Sequence, residues 1–216
     1  MRFRDRHDAG RALAQALAAW AGRDDVLVLG LPRGGVVVAF EVARALRAPL
    51  DVWVVRKLGL PDNPELALGA IARDGVRVLN DDVIGELAVP ADVVEAVTAI
   101  EREELARRER AYRGDRPFPD LRGKTAILVD DGLATGSTMR VAVVSVRAAS
   151  PAHVVVAVPV GAAVTCAGMG RLADEVVCLR TPEPFRAVGI WYEDFAQTTD
   201  EEVRDLLVTR ASGSDR

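Results

Sequence analysis

Cysteine is scarce, with only Cys166 and Cys178 among 216 residues. Two isolated thiols give neither a disulfide framework nor a zinc site, so both read as reduced cysteines. The two histidines, His7 and His153, form no cluster, and structural or solvent-facing roles are the default for both. Neither sign of charge dominates: 28 Lys and Arg stand against 32 Asp and Glu, a net charge of −4. Nothing therefore points to a general nucleic-acid or membrane surface. No apolar run approaches the ~18 residues of a membrane span. The opening MRFRDRHDAGRALAQ lacks the apolar core of a signal peptide. Repeats and low-complexity tracts are also missing. These absences set the expectation of a cytoplasmic protein with no nucleic-acid and no membrane partner.

What remains is ordinary globular material, half hydrophobic and 28% charged, long enough to bury a full core as a single domain over 1–216. Ala12, Leu13, Ala16, Leu17 and Trp20 recur at helical spacing and predict an amphipathic helix over 6–20. VLVLG (26–30) reads as a buried strand, LPRGG (31–35) as a turn, and 36–46 as a helix. A second strand is expected over 51–55, ending in Arg56-Lys57. LGLPDNPELA (58–67) carries two prolines, a glycine and Asp-Asn, and reads as a loop. Residues 69–80 suggest a hairpin turning at Asp74-Gly75. A charged helix is expected over 91–112, with Val93, Val94, Val97, Ile100 and Leu105 as its apolar stripe. Beyond a Pro- and Gly-bearing connector (113–122) come strands at 126–129, at 153–160 with Pro159 marking its end, and at 175–179. Helices are expected at 137–148, 162–172 and 200–208, and a frayed tail over the final ASGSDR. The alternation argues for an α/β fold: a twisted, mostly parallel sheet of about five strands flanked by helices.

The chain is organised around KTAILVDDGLATGSTM (124–139). The unbroken apolar run Ala126–Val129 suits a central parallel strand covered on both faces. The loop after it has little bulk and three hydroxyls, and it opens a helix. Such a loop can aim several N–H groups at one anion where a helix dipole begins, which makes a phosphate cradle. Asp130 and Asp131 repel phosphate and need hydroxyls or a cation. A ligand carrying both a phosphate and a diol meets both demands, and a sugar phosphate is one. No G-x-x-x-x-G-K-[ST] is present, so this is not a nucleotide-triphosphate loop of that kind. The plainer alternative is an acidic turn whose Asp and Thr side chains cap a helix.

VDDGLATGST resembles the phosphoribosyl pyrophosphate signature of type I phosphoribosyltransferases. The resemblance implies that family's fold, with a small hood beside the strand ends, and it implies roles for residues at matching positions. Asp130 and Asp131 would hold the ribose 2′ and 3′ hydroxyls. Gly132, Leu133, Ala134, Thr135, Gly136, Ser137 and Thr138 would form the 5′-phosphate loop. Arg33, Gly34 and Gly35 would form the pyrophosphate loop, with Arg56 and Lys57 beside the leaving group. Residues 58–69 would be the mobile loop that closes the site, where Glu65 is a candidate proton carrier or an ordinary solvent-facing residue. N-terminal residues and 181–197 would build the hood, with Phe185, Trp191, Tyr192 and Phe195 available to stack on a base, to form a small aromatic core or to make a dimer contact. Mg²⁺ would be held mainly through substrate oxygens. Hypoxanthine-guanine members place an Asp before the Thr-Gly of the loop, whereas this chain has Ala134, which weakens that assignment and leaves no general base named. RKLGLPDNPELALGA and the late aromatic segment are most similar to a bacterial branch whose acceptor is not established. The implied reaction moves a 5-phosphoribosyl group from phosphoribosyl pyrophosphate to a nitrogen nucleophile, a small base, in a protein compatible with a homodimer. A non-catalytic sensor of phosphoribosyl pyrophosphate or nucleotide is the main alternative, and a hydrolase acting on the same substrate is another.

Overall fold

The computed structural model describes residues 2–212. Helix α1 (Arg6–Ala16) opens the chain, capped by the Asp5 side chain accepting from the Asp8 N–H. Strand β1 (Val26–Gly30), helix α2 (Gly34–Leu46) and strand β2 (Leu50–Val52) follow. Next come β3 (Val55–Leu60), β4 (Asn63–Ala72), β5 (Arg77–Leu79), α3 (Asp81–Glu86) and α4 (Ala91–Arg113). The second half alternates strictly: β6 (Thr125–Val129), α5 (Ser137–Ala148), β7 (His153–Val160), α6 (Ala163–Met169), β8 (Glu175–Arg180) and α7 (Asp200–Ser212).

Five strands pair in parallel in the order β2-β1-β6-β7-β8. Period-two alternation of apolar residues buries both faces. Val28, Ile127, Val129 and Val155 point into a cluster with Leu13, Val38, Val42 and Leu207. Leu27, Leu29, Leu128 and Val156 point the other way, onto Met139, Ala142, Val146 and Met169. The sheet order reverses between β1 and β6, so the chain leaves these neighbours in opposite directions and opens a crevice at their carboxyl ends. Register places Gly30 beside Val129, so the 31–35 turn and the acidic pair begin side by side.

Several elements depart from the sequence reading. The strand expected over 51–55 stops at Val52, and Arg56 and Lys57 lie within β3, in a separate antiparallel sheet ordered β3-β4-β5. The loop expected over 58–67 is largely a strand pair turning at Pro61-Asp62. Leu58 and Leu68 are buried in the core there, and register shifts around Gly59 absorb the irregular sequence. Strand β7 spans His153–Val160 as expected, with Pro159 next to its last residue; the last β6 pairing is at Ala157, so the missing N–H breaks no bond to β6. Helix α6 ends at Met169 rather than Leu172. Helix α4 buries Val94, Val97 and Leu105, but Ile100 is 66% exposed and leaves the expected stripe. The tail expected over 211–216 lies outside the described residues, apart from the backbone of Ala211 and Ser212 in α7. Among the described residues no helix is long and apolar enough to cross a membrane.

Candidate active site

Three segments converge at the carboxyl ends of β1 and β6. The first is the Arg33–Gly35 turn entering α2. It reaches the acidic pair so closely that side chains do not fit. A Cβ on Gly34 would overlap the Asp131 carboxylate and lie 2.6 Å from Arg6 Nε. One on Gly35 would lie 2.8 Å from both Asp130 Oδ1 and the Val129 carbonyl. Gly34→Ala is therefore expected to destabilise the protein by about 1–3 kcal/mol through overpacking, with the acidic pair displaced. Thermal melts of the variant check this, and an unchanged melting temperature would contradict the close approach.

The acidic pair is the second segment. Asp130 Oδ1 accepts from the Asp131 N–H at 2.8 Å, and Asp131 Oδ2 accepts from Arg6 Nε at 2.8 Å. Burial, and secondarily Asp131, pushes the Asp130 carboxyl well above the ordinary carboxylate range. Burial also raises Asp131, and the Arg6 guanidinium works against that rise. Two crowded, half-desolvated acids of this kind attract hydroxyl donors or positive charge.

The third is the loop 132–138 with the first turn of α5. Gly136 stands at the helix cap with φ +75°, in the left-handed region that glycine tolerates. Thr135 and Ser137 hydroxyls lie 3.2 Å apart, and the Thr165 hydroxyl donates to the Ala134 carbonyl at 2.7 Å. No acidic residue sits in the first turn of this 12-residue helix, so its N–H groups meet no competing anion from their own turn. Leu133 does not share the ligand-facing role expected of it. Its side chain is 2% exposed in the core, and its N–H and carbonyl are taken by Val160 and Ala162. It anchors the loop from beneath.

Arg56 and Lys57 reach the same edge by a different route from the one expected. They line a cavity of about 510 Å³ with Pro32 and Thr138, walled by α4. That volume suits a small ligand. Arg56 Nε donates to Glu101 on α4 at 2.6 Å. Arg33, by contrast, turns toward α7, 3.9 Å from Asp200, whose carboxylate also accepts from the Tyr112 hydroxyl. The Glu65 side chain lies outside the described residues.

N-terminal residues and 181–197 do come together. The Phe3 N–H donates to the Trp191 carbonyl, and the Glu193 N–H to the Phe3 carbonyl. The aromatics form a small core of their own, which corrects the base-stacking expectation for Tyr192. Its ring is 3% exposed and packs between Phe3 and Phe195. Its hydroxyl donates to the Asp131 carbonyl at 2.5 Å, and burial beside Asp131 raises its pKa. Trp191 is half-buried against the same cluster. Arg6 is the residue that sequence reasoning passed over. Its only signal was an arginine on the first turn of a helix, where the dipole disfavours a cation.

Known proteins resemble this chain in sequence and fold. Residues 5–181 match the family model described as the phosphoribosyl transferase domain. A Mycobacterium tuberculosis protein from strain H37Rv, provisionally named a phosphoribosyl transferase, is 54% identical over 205 residues, covering 95% of this chain and 46% of the relative. The chain thus spans about half the length of that curated relative. A crystal structure of a Thermus thermophilus protein superposes with a TM-score of 0.82 at 46% identity, covering 97% of this chain and 99% of that one. An Aquifex aeolicus protein, 13% identical with a TM-score of 0.52, covers 94% of this chain and 84% of its own, and shares the fold.

Proposed function

The chain belongs to the phosphoribosyl transferase domain family, and from that premise we propose that it moves a 5-phosphoribosyl group from phosphoribosyl pyrophosphate to a nitrogen nucleophile, in a single domain. The observation that carries the reading is the meeting of a glycine turn, an acidic pair and a helix N-terminus at the β1–β6 switch point. In this reading the N–H groups at 135–138 grip the 5′-phosphate, and Asp130 and Asp131 accept from the ribose hydroxyls. Gly34 and Gly35 offer backbone to the pyrophosphate. Arg56 and Lys57 face it across the neighbouring cavity, where their charge stabilises the leaving group. The nucleophile's lone pair forms a bond to C1′ as the C1′–O bond breaks. Pyrophosphate departs with the bonding electrons, and the nitrogen loses its proton to solvent.

Mg²⁺ fits this site as a substrate-borne ion. Among the described residues no cluster of three or more His, Cys, Asp or Glu could cage a metal, and one oxygen of Asp131 is committed to Arg6. Its ligands would therefore be substrate oxygens and water, and bound there it would neutralise the pyrophosphate. The β3–β4 hairpin would close over the substrate and exclude water. A multiply charged substrate cannot cross a bilayer unaided, which favours the cytoplasm as the place of action.

Pyrophosphate release from phosphoribosyl pyrophosphate and Mg²⁺, followed with and without each of a panel of nucleobases, tests the proposal. Release that depends on one base is expected and names the acceptor. Release that ignores every base would indicate a hydrolase. Saturable binding with no release would favour a sensor.

A further inference from the structure

Arg6 joins the acidic pair to the late 181–197 segment. Its Nε donates to Asp131 Oδ2 at 2.8 Å, and an Nη donates to the Ala196 carbonyl at 2.7 Å. Its guanidinium carbon lies 3.8 Å from the centre of the Phe195 ring, and the Gly34 turn comes so near that a Cβ there would lie 2.6 Å from Nε. The side chain is 11% exposed. Nothing local rewards this placement, since a cation on the first turn of α1 opposes the helix dipole. Asp131 is what the arginine meets. By engaging one carboxylate oxygen it leaves the other, which has no hydrogen bond among the described residues, to accept from a ligand.

We propose that Arg6 is a positioning residue for sugar recognition: it fixes the Asp131 carboxylate in the orientation a ribose diol requires and ties that orientation to the 181–197 segment. The inference rests on the reading of Asp131 as a ribose ligand. It supplies a physical reason for the N-terminal and C-terminal segments to meet over the acidic pair. The charged or titratable groups around Asp131 are Asp130 on the same turn, Arg6 on α1 and Tyr192 on the late segment. Of these only Arg6 favours the ionised carboxylate, because Asp130 repels it and Tyr192 spends its proton on the backbone carbonyl.

Calorimetric titration with phosphoribosyl pyrophosphate and Mg²⁺ between pH 6 and pH 8 tests this in wild type, Arg6→Gln, Arg6→Lys, Asp131→Asn and the Arg6→Gln/Asp131→Asn double variant. Arg6→Gln is expected to weaken binding about tenfold, as loss of a charged hydrogen bond does. The loss should deepen as pH falls, because without Arg6 the carboxyl takes up a proton at higher pH and no longer accepts. Arg6→Lys should recover part of the affinity. In the Asp131→Asn background the Arg6 change should add little. A loss that is the same at every pH, or that adds fully to Asp131→Asn, would overturn the inference and leave Arg6 a structural residue. If Asp131→Asn itself leaves binding unchanged, the ribose reading falls and this inference falls with it. Melting curves keep folding separate from binding, and Arg6→Lys, which retains the charge, carries the comparison if Arg6→Gln does not fold.

Discussion

Asp130→Asn is expected to weaken phosphoribosyl pyrophosphate binding by about 10- to 100-fold while raising the melting temperature. The first effect follows in the bound state, where ribose hydroxyls and a substrate-borne cation favour the ionised carboxyl. Asparagine replaces that charged acceptor with a neutral one, and a charge-assisted hydrogen bond is worth about 1.5–3 kcal/mol. The second follows from the same carboxyl's environment. Burial, then the neighbouring Asp131 charge, hold it well above the usual range. A native state that binds this proton more tightly than the unfolded chain loses stability as pH rises from the ordinary carboxylate range through the raised native value. At pH 8 the wild type bears that cost. Below about pH 4 the carboxyl is protonated in both states and the cost is gone. Asparagine bears no such cost at any pH, and its oxygen can still accept from the Asp131 N–H. The variant should therefore melt higher than wild type at pH 8 and alike at pH 4. Unchanged affinity would remove Asp130 from the site, and a lower melting temperature at pH 8 would show that the wild-type charge is compensated.

The largest stability loss is expected far from that site, in Arg113→Met. Arg113, 4% exposed at the end of α4, binds Asp51 of β2 through two hydrogen bonds of 2.8 and 2.7 Å, and Asp51 is itself 8% exposed. Arg113 also donates to the Arg116 and Pro117 carbonyls and stacks on Phe118. Removing the arginine strands a buried carboxylate, a loss of about 3–5 kcal/mol, which lowers the melting temperature by roughly 10 °C in a chain of this size. Arg113→Met/Asp51→Leu should regain most of it, because an apolar pair of similar volume carries no desolvation penalty. Recovery will be incomplete, since the two connector carbonyls lose their donor. Thermal melts of the three proteins decide the matter, and a single variant as stable as wild type would refute it.

The site was legible in the sequence to the extent that it is local. Asp130, Asp131 and the small loop to Thr138 are consecutive, and strand, turn and helix each leave a short-range mark. Gly34 and Gly35 were legible as a turn, but only the fold shows that they are glycines because Asp130 and Asp131 leave no room for a Cβ. Leu133 sits inside the motif and looks like its neighbours, although its side chain belongs to the core. Residues 58–67 carry every sign of a loop, yet burial of Leu58 and Leu68 pulls them into a bulged strand pair. Tyr192 was legible as one aromatic among several, and its partners Phe3 and the Asp131 carbonyl were not.

The sequence alone determined the α/β alternation, the two-sided burial of the parallel strands and the chemistry of the acidic loop. These depend on period, bulk and charge within a few residues, which neighbouring backbone and water impose wherever the segment lies. Tertiary structure decided which cation meets which acid. Arg6 and Asp131 are 125 residues apart, and Arg113 and Asp51 are 62 apart. No local pattern encodes such a pairing, because it exists only once the sheet order has brought the two chain segments to one place and excluded the water that would otherwise solvate each charge.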